Sequence, residues 1–333
     1  LKILTTARRP RGGPFRLMQG EFGMRLKVLG SAAGGGFPQW NCNYRLSRAV
    51  RAGAAGLRPR LQSSLAATSG EGGGWVLFNA SPDIRQQINE TPELRPAPDA
   101  PLRSTPIRAV VLTNADVDHL AGLLSLRERQ AFHLYATARV LAVLEANPIF
   151  RVLDAAHVRR LPVALGQPFA IEGLDGATGL TAELFPVPGK VALFLETGEA
   201  DRDFEADPED TVGVRITDAA GRSAIYAPGC ARVDPAFLDR IGGADALLFD
   251  GTVFTDDEME RAGVGTKSGR RMGHMPIEGE GSSLQALASA RVARRVFVHI
   301  NNTNPILDET SPERRIVEAA GWDVAFDGME MVL

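Results

Sequence analysis

Apolar and polar positions change period several times along this chain. Short apolar runs predict strands over 25–29, 61–68, 75–79, 107–113 and 132–136. The second and third runs flank a Gly-rich turn, which predicts a hairpin. Ser81-Pro82-Asp83 offers an N-cap, a Pro at the first helical position and an acid in the first turn. Helices are predicted over 120–129 and over 139–146, the second stopping before Asn147-Pro148. The second half repeats the alternation, with strands predicted over 181–185, 191–195, 212–217, 223–227, 246–249, 296–299 and 324–326 and a helix over 282–290. The polar segment 197–210 reads as a surface loop. Consecutive hairpins with single helices exclude a simple βαβ array; two sheets covered by outer helices fit better.

No solenoid repeat is visible and no linker divides the chain, so 24–333 reads as a single domain. Residues 1–23 are basic, rich in Gly and Pro, and lack the apolar stretch of a signal peptide. They are expected to be a disordered extension, with Met24 as the functional start. Of the 333 residues, 44% are hydrophobic and 23% charged, as in a soluble globular protein. The net charge of −3 gives no basic footprint, so no nucleic-acid partner is expected. No run approaches the roughly 20 apolar residues of a membrane span. With only Cys42 and Cys230, a disulfide framework is unsupported and a reducing, cytoplasmic setting is expected.

The chemistry gathers where predicted strands end. Thr113-Asn114-Ala115-Asp116-Val117-Asp118-His119 follows the apolar run at 107–112. Carboxylates and an imidazole leaving a strand end converge on one pocket, which suits a metal. Of the five histidines, His133 and His157 sit in apolar contexts and read as structural. His299 ends a strand, and His274 lies in the Gly-flanked loop Gly273-His274-Met275-Pro276-Ile277. Asp250 and Cys230 are each the first reactive residue after an apolar strand. Cys230 has two readings, a small buried hydrophobe or a metal ligand. The Gly-rich loop 30–36 lacks a following helix start, so it reads as a tight turn or a backbone close to a ligand rather than a dinucleotide site. Asp118, His119 and His299 make two imidazoles and one carboxylate, the facial set of non-haem Fe(II) oxygenases. Zn(II) could occupy the same set and would then activate a hydrolytic water. Asp116 is a further ligand or a support for one.

The 114–119 stretch resembles the metallo-β-lactamase signature His-x-His-x-Asp-His, with Asn114 and Asp116 in place of its first two histidines. Longer blocks resemble the family of pyrroloquinoline quinone biosynthesis protein B. They are the opening through Gly30-Ser31-Ala32-Ala33-Gly34-Gly35-Gly36-Phe37-Pro38-Gln39-Trp40-Asn41, then Asn79-Ala80-Ser81-Pro82-Asp83-Ile84-Arg85, Ala146-Asn147-Pro148-Ile149-Phe150-Arg151, the His274 loop, and His299-Ile300-Asn301-Asn302-Thr303-Asn304-Pro305. The resemblance implies a metallo-β-lactamase-like α/β fold, an αββα four-layer sandwich of two mixed β-sheets flanked by helices. It implies a second metal site at Asp118, His119 and His299, with Cys230 where a bridging Asp is usual. It also implies a dismantled first site, with Lys190 near a lost histidine. Many members carry a Cys-x-Cys-x-x-Cys cluster; here Tyr44 and Ser47 replace two of the thiols, which argues against a structural zinc.

The family implies a role in making pyrroloquinoline quinone from a ribosomal precursor peptide. The expected activity is Fe(II)- and O2-dependent hydroxylation of a tyrosine-derived precursor, either a Glu-Tyr-derived diamino acid or a peptide. Asp250 and His274 would shuttle protons. Asn301 would orient His299 or the substrate. Lys267, Arg270 and Arg271 either pair with substrate carboxylates or form a solvated loop. Two alternatives stand beside this reading: a carrier assisting transport of the cofactor or a precursor to the periplasm, and a metal-dependent hydrolase. Other proteins of the pathway and a second copy in a homodimer are the expected partners.

Overall fold

The computed structural model describes residues 23–70, 72–204 and 207–333. The expected extension therefore lies outside the described residues, apart from Gly23. Among the described residues fourteen strands, numbered in chain order, form two seven-stranded sheets. The first holds β1 (Arg25–Gly30), β2 (Ser64–Thr68), β3 (Trp75–Phe78), β4 (Ile107–Val111), β5 (Phe132–Ala136), β6 (Val158–Pro162) and β14 (Glu330–Val332). The second holds β7 (Phe169–Gly173), β8 (Gly176–Pro186), β9 (Val212–Asp218), β10 (Ser223–Ala227), β11 (Ala246–Asp250), β12 (Arg294–Val298) and β13 (Asp323–Val324). The orders are β14-β1-β2-β3-β4-β5-β6 and β13-β12-β11-β10-β9-β8-β7. Each sheet begins with antiparallel neighbours and continues into parallel ones, β3 to β6 and β10 to β13.

Strand parity explains the layers. In β11, Ala246 and Leu248 face the core between the sheets, whereas Leu247 and Phe249 face an outer helical layer. In β4, Ala109 and Val111 point inward and Val110 and Leu112 outward. Side chains alternate along a strand, so a segment buried on both faces reads as one continuous apolar run. Helices Ile84–Glu90 and Ala138–Ala146 cover the first sheet through Ile84, Val140 and Leu144. Helices Pro235–Ile241 and Pro312–Ala319 cover the second through Phe237, Ile241 and Val317. Asp234 and Ser311 cap these last two by accepting from Phe237 N–H and Arg314 N–H.

Several local expectations are corrected. The 191–195 run is no strand; Leu193–Leu195 forms a 3-10 turn with exposed side chains. The 120–129 helix begins earlier, as Val117–Leu120, and continues as 3-10 turns to Leu126. The 282–290 helix is confined to Ser283–Ala286. The helix after Ser81 starts at Ile84 with no side-chain cap, and the Asp83 carboxylate accepts from Gln62 N–H and Nε2–H. The 197–210 loop includes a helical turn, Ala200–Asp203. Among the described residues no helix is long and apolar enough to cross a membrane.

Candidate metal centre

The carboxyl ends of β4, β11 and β12 carry the candidate ligands, at the edge of the core between the sheets. After β4 the chain crosses to the second sheet, since Val212 N–H donates to Thr113 O (2.9 Å) and Asn114 bridges to Thr211. Buried Asn79 fastens this turn: its Oδ1 accepts from Thr113 N–H and its Nδ2 donates to Thr113 Oγ1, both at 2.9 Å. The short helix Val117–Leu120 then delivers Asp118 and His119. From β12, His299 follows Val298 with φ +56°, a left-handed conformation that a non-glycine residue adopts at a cost. Ala33 N–H donates to Ile300 O and Ile300 N–H to Ser31 O (both 2.9 Å), which lays the Gly-rich loop beside this strand end. A Cβ at Gly34 would stand 3.4 Å from Asp118 Oδ2. The loop therefore brings its backbone against a candidate ligand.

Two ligand groups meet at His299. Asp118, His119 and His299 offer atoms within 4.8 Å of one another, and so do Asp250, His274 and His299. The rings of His119 and His299 are 5.2 Å apart, and those of His274 and His299 stack at 5.1 Å. His119 Nδ1 donates to Asn114 Oδ1 (2.7 Å), whose own amide donates to Asp116 Oδ2 (3.0 Å). That chain fixes the tautomer, so the His119 Nε2 lone pair is free; the atom is buried, has no hydrogen-bond partner among the described residues and lies 3.9 Å from Asp118 Oδ2. Thr252 Oγ1 lies 2.8 Å from His299 Nδ1, 2.6 Å from Asp250 Oδ1 and 3.1 Å from His274 Nδ1. His299 Nε2 then faces Asp118 Oδ2 at 3.1 Å. Where Thr252 accepts from His299 Nδ1–H, the Nε2 lone pair faces the carboxylate, and a shared cation, a proton or a metal, reconciles the two. The donor set thus suits a divalent ion.

Charge follows the geometry. Burial pushes Asp118 up, but His119 and the hydrogen bond from His299 outweigh it and hold the carboxyl well below the usual range. Burial lowers His119 to about 4, leaving a neutral imidazole suited to ligation. For His299 burial acts downward, yet its bond and attraction to Asp118 raise it overall. Asp250 is pushed up by burial but held low by His274. It accepts from His274 Nδ1 (2.7 Å), Cys230 N–H (2.9 Å) and Thr252 N–H (3.0 Å).

Some expected site residues fall elsewhere. Asp116 lies outside both groups and takes the supporting place expected of it as the alternative: it accepts from Asn114 Nδ2 (3.0 Å), the residue that holds His119, and from Leu193 N–H (3.2 Å), and burial with the nearby Asp118 charge raises its carboxyl. Cys230 also lies outside them, because its thiol donates to Arg232 O (3.1 Å) and burial pushes its pKa up. The bond to His299 expected of Asn301 is made by Thr252 instead; Asn301 Nδ2 donates to Thr303 Oγ1 (2.6 Å) and approaches Met259 Sδ. Lys190 pairs with Glu196 (3.0 Å), which also holds Lys267 (2.9 Å). Arg270 binds the carbonyls of Glu280 and Gly281, and Arg271 covers the Phe204 ring. Thr252 and the supporting role of Asn114 were missed; the only sequence signal is a polar residue two positions after an apolar strand, or in the place of a lost ligand.

This fold, with candidate acid–histidine ligands gathered at strand ends, defines a protein of the β-lactamase superfamily. Residues 74–300 match the Beta-lactamase superfamily domain. The similarity narrows further. Coenzyme PQQ synthesis protein B of Methylobacterium nodulans is 54% identical over 310 residues, covering 93% of this chain and 100% of the relative. The protein of that name from Rhizobium meliloti is 52% identical, covering 93% and 98%. The crystal structure of Zn(2+)-bound PqqB from Methylobacterium extorquens superimposes with a TM-score of 0.87 at 52% identity, over 93% of this chain and 100% of that one. A diphosphatase from the PhnP family, 20% identical with a TM-score of 0.62 over 93% and 97%, shares the fold. The chain belongs to the coenzyme PQQ synthesis protein B family.

Proposed function

We propose that this protein acts in pyrroloquinoline quinone biosynthesis as an Fe(II)- and O2-dependent hydroxylase of a tyrosine-derived precursor. One observation carries the reading: Asp118, His119 and His299, two imidazoles and one carboxylate, converge on one point. Fe(II) held there would supply O2 activation for insertion of one oxygen into the phenolic ring, with a two-electron reductant carrying the second oxygen to water. Asn114 and Thr252 hold the two imidazoles in register. The Asp250–His274 pair can take the phenolic proton on the imidazole and return it, with the buried carboxylate stabilising the charged ring. Exposed Val117 lies between the two acids of the turn, and exposed Leu193 is tethered to Asp116, which gives an aromatic ring apolar neighbours.

A second reading draws on the Asp250, His274 and His299 group, which could hold a second ion beside the first, as two-metal hydrolases do. One experiment separates the readings. The protein is purified anaerobically, loaded with Fe(II) or Zn(II), and given the Glu-Tyr-derived diamino acid and a two-electron reductant, or in a parallel sample pyrroloquinoline quinone, while O2 uptake and product mass are recorded. Iron-dependent gain of oxygen supports the hydroxylase. Water added across a cleaved bond with zinc supports the hydrolase. Quinone that binds and leaves unchanged supports the carrier, and either of the last two outcomes overturns the proposal.

A further inference from the structure

The candidate ligands leave little room for an ion or a substrate to arrive. His119 and His299 are buried, and Asp118 and His274 show only 15% and 17% of their side chains to solvent. A covering segment must therefore move before the centre is filled or emptied. Two loops lie against these residues. The Gly-rich loop abuts Asp118 and is heavily fastened: Ala32 N–H donates to Leu61 O, Ala33 N–H to Ile300 O, and Phe37 and Arg60 exchange both main-chain bonds. Gly35 N–H adds a bond to Gln62 Oε1 (3.0 Å). The other loop is the chain between Lys190 and Phe204.

That chain is a strap across the crevice between the two sheets. It leaves the second sheet after β8, where Lys190 bridges to Phe204 and Val191 N–H donates to Asp203 O (2.9 Å). Its base abuts the residue before His274: a Cβ at Gly273 would stand 3.0 Å from Lys190 Cγ. Ala192 then packs with Ala115 and Leu120 in the outer layer of the first sheet, and Leu193 N–H donates to Asp116 Oδ1 (3.2 Å). Glu196 returns to the other side and pairs with Lys267 (2.9 Å), in the loop that leads to His274. The strap holds its own shape, because the Asp203 carboxylate accepts from Thr197 N–H (2.7 Å), Thr197 Oγ1 (2.9 Å) and Gly198 N–H (2.8 Å). Its attachment is thin. Among the described residues, only the Asp116 and Lys267 contacts join 192–203 by hydrogen bond or ion pair to the protein beyond the strap's own base. Leu193, Phe194 and Leu195 are exposed, so they add little packing. A self-contained segment with few buried contacts opens before a well-fastened one.

We propose that residues 191–203 form a gate over the metal centre, latched across the crevice by Glu196 and Lys267. The inference rests on the centre holding a divalent ion, not on hydroxylation, so zinc and a chelator test it. Zn(II) uptake by metal-free protein and Zn(II) capture from loaded protein are timed by stopped flow with a chromophoric chelator. A gate acts on both directions alike. Lys267→Ala speeds uptake and release each by about threefold to fivefold, the scale of a partly exposed ion pair, while the dissociation constant stays within about twofold. Lys267→Arg restores the wild-type rates. Raised salt speeds the wild-type protein toward the rates of Lys267→Ala and affects that variant less. Thermal midpoints establish that both variants fold. Wild-type rates in Lys267→Ala overturn the gate. Faster release without faster uptake overturns it too, since that marks weakened ligation. Unchanged zinc affinity in His299→Ala also overturns it, by placing the ion outside the centre. A protein that never hydroxylates the diamino acid can still show the gated pattern, so the two readings fail separately.

Discussion

Asp118 and His119 approach His299 from the turn after β4, whereas Asp250 and His274 approach it from the second sheet. On the first side, the supporting bonds end on the far edge of the imidazole. Asn114 grips His119 Nδ1 and leaves Nε2 unpartnered. On the second side, the acid and the histidine bond each other at 2.7 Å, and Thr252 ties both to His299. One group is arranged to give lone pairs outward, the other to hold charge within itself. Two sets of similar residues can thus divide ligation from proton handling through hydrogen bonding alone.

The largest test of that division is Asp118→Ala. It should weaken metal binding by more than about 100-fold, beyond the roughly 10–100-fold expected for outer supports. Competition with a chelating dye measures this, and His274→Ala in the same assay should stay within about tenfold. Equal losses would erase the distinction. Next comes Asp250→Asn, which disturbs an acceptor serving Cys230, Thr252 and His274 at once. Urea unfolding should show a loss of about 2–3 kcal/mol.

Thr252→Val sharpens the comparison. It removes the hydroxyl between both imidazoles and should weaken metal binding about tenfold, with stability changed by only about 1 kcal/mol. The smallest effect lies further out, at Glu258, which bonds Thr303 and Phe254 N–H. Burial raises its carboxyl from 4.5 to about 7. The folded protein therefore keeps a proton that the unfolded chain releases. The associated stability is complete below pH 4.5 and is lost as pH rises through about 7. Unfolding at pH 6 and pH 8 should differ by about 1 kcal/mol from this group, and Glu258→Gln should remove that difference.

Much of this arrangement was legible before the fold was known. Phe132–Ala136 and Ser223–Ala227 are apolar runs buried on both faces, and their bounds follow directly from composition. Strand-end residues announced Asp118, His119, Asp250 and His299, because the polar residue that stops a buried strand faces the crevice there. Edge elements were harder to read. β6 carries Arg159 and Arg160 and ends at Pro162, which suits an edge but hides its pattern. The helices after Asp234-Pro235 and Ser311-Pro312 had readable caps that went unused. At Leu193–Leu195 apolar character does not signal burial, because all three side chains face solvent. Thr252 and Asn114 were invisible for a different reason. A hydroxyl or an amide takes its role from partners that only tertiary structure supplies.

The proposed hydroxylation stands on Asp118, His119 and His299 holding the metal together. The most direct measurement compares wild-type and His299→Ala protein after anaerobic Fe(II) loading, reading bound iron together with product mass from the Glu-Tyr-derived diamino acid. The account predicts iron and an oxygen-bearing product in the wild type, and neither in the variant. A variant that retains its iron and still inserts oxygen would contradict it.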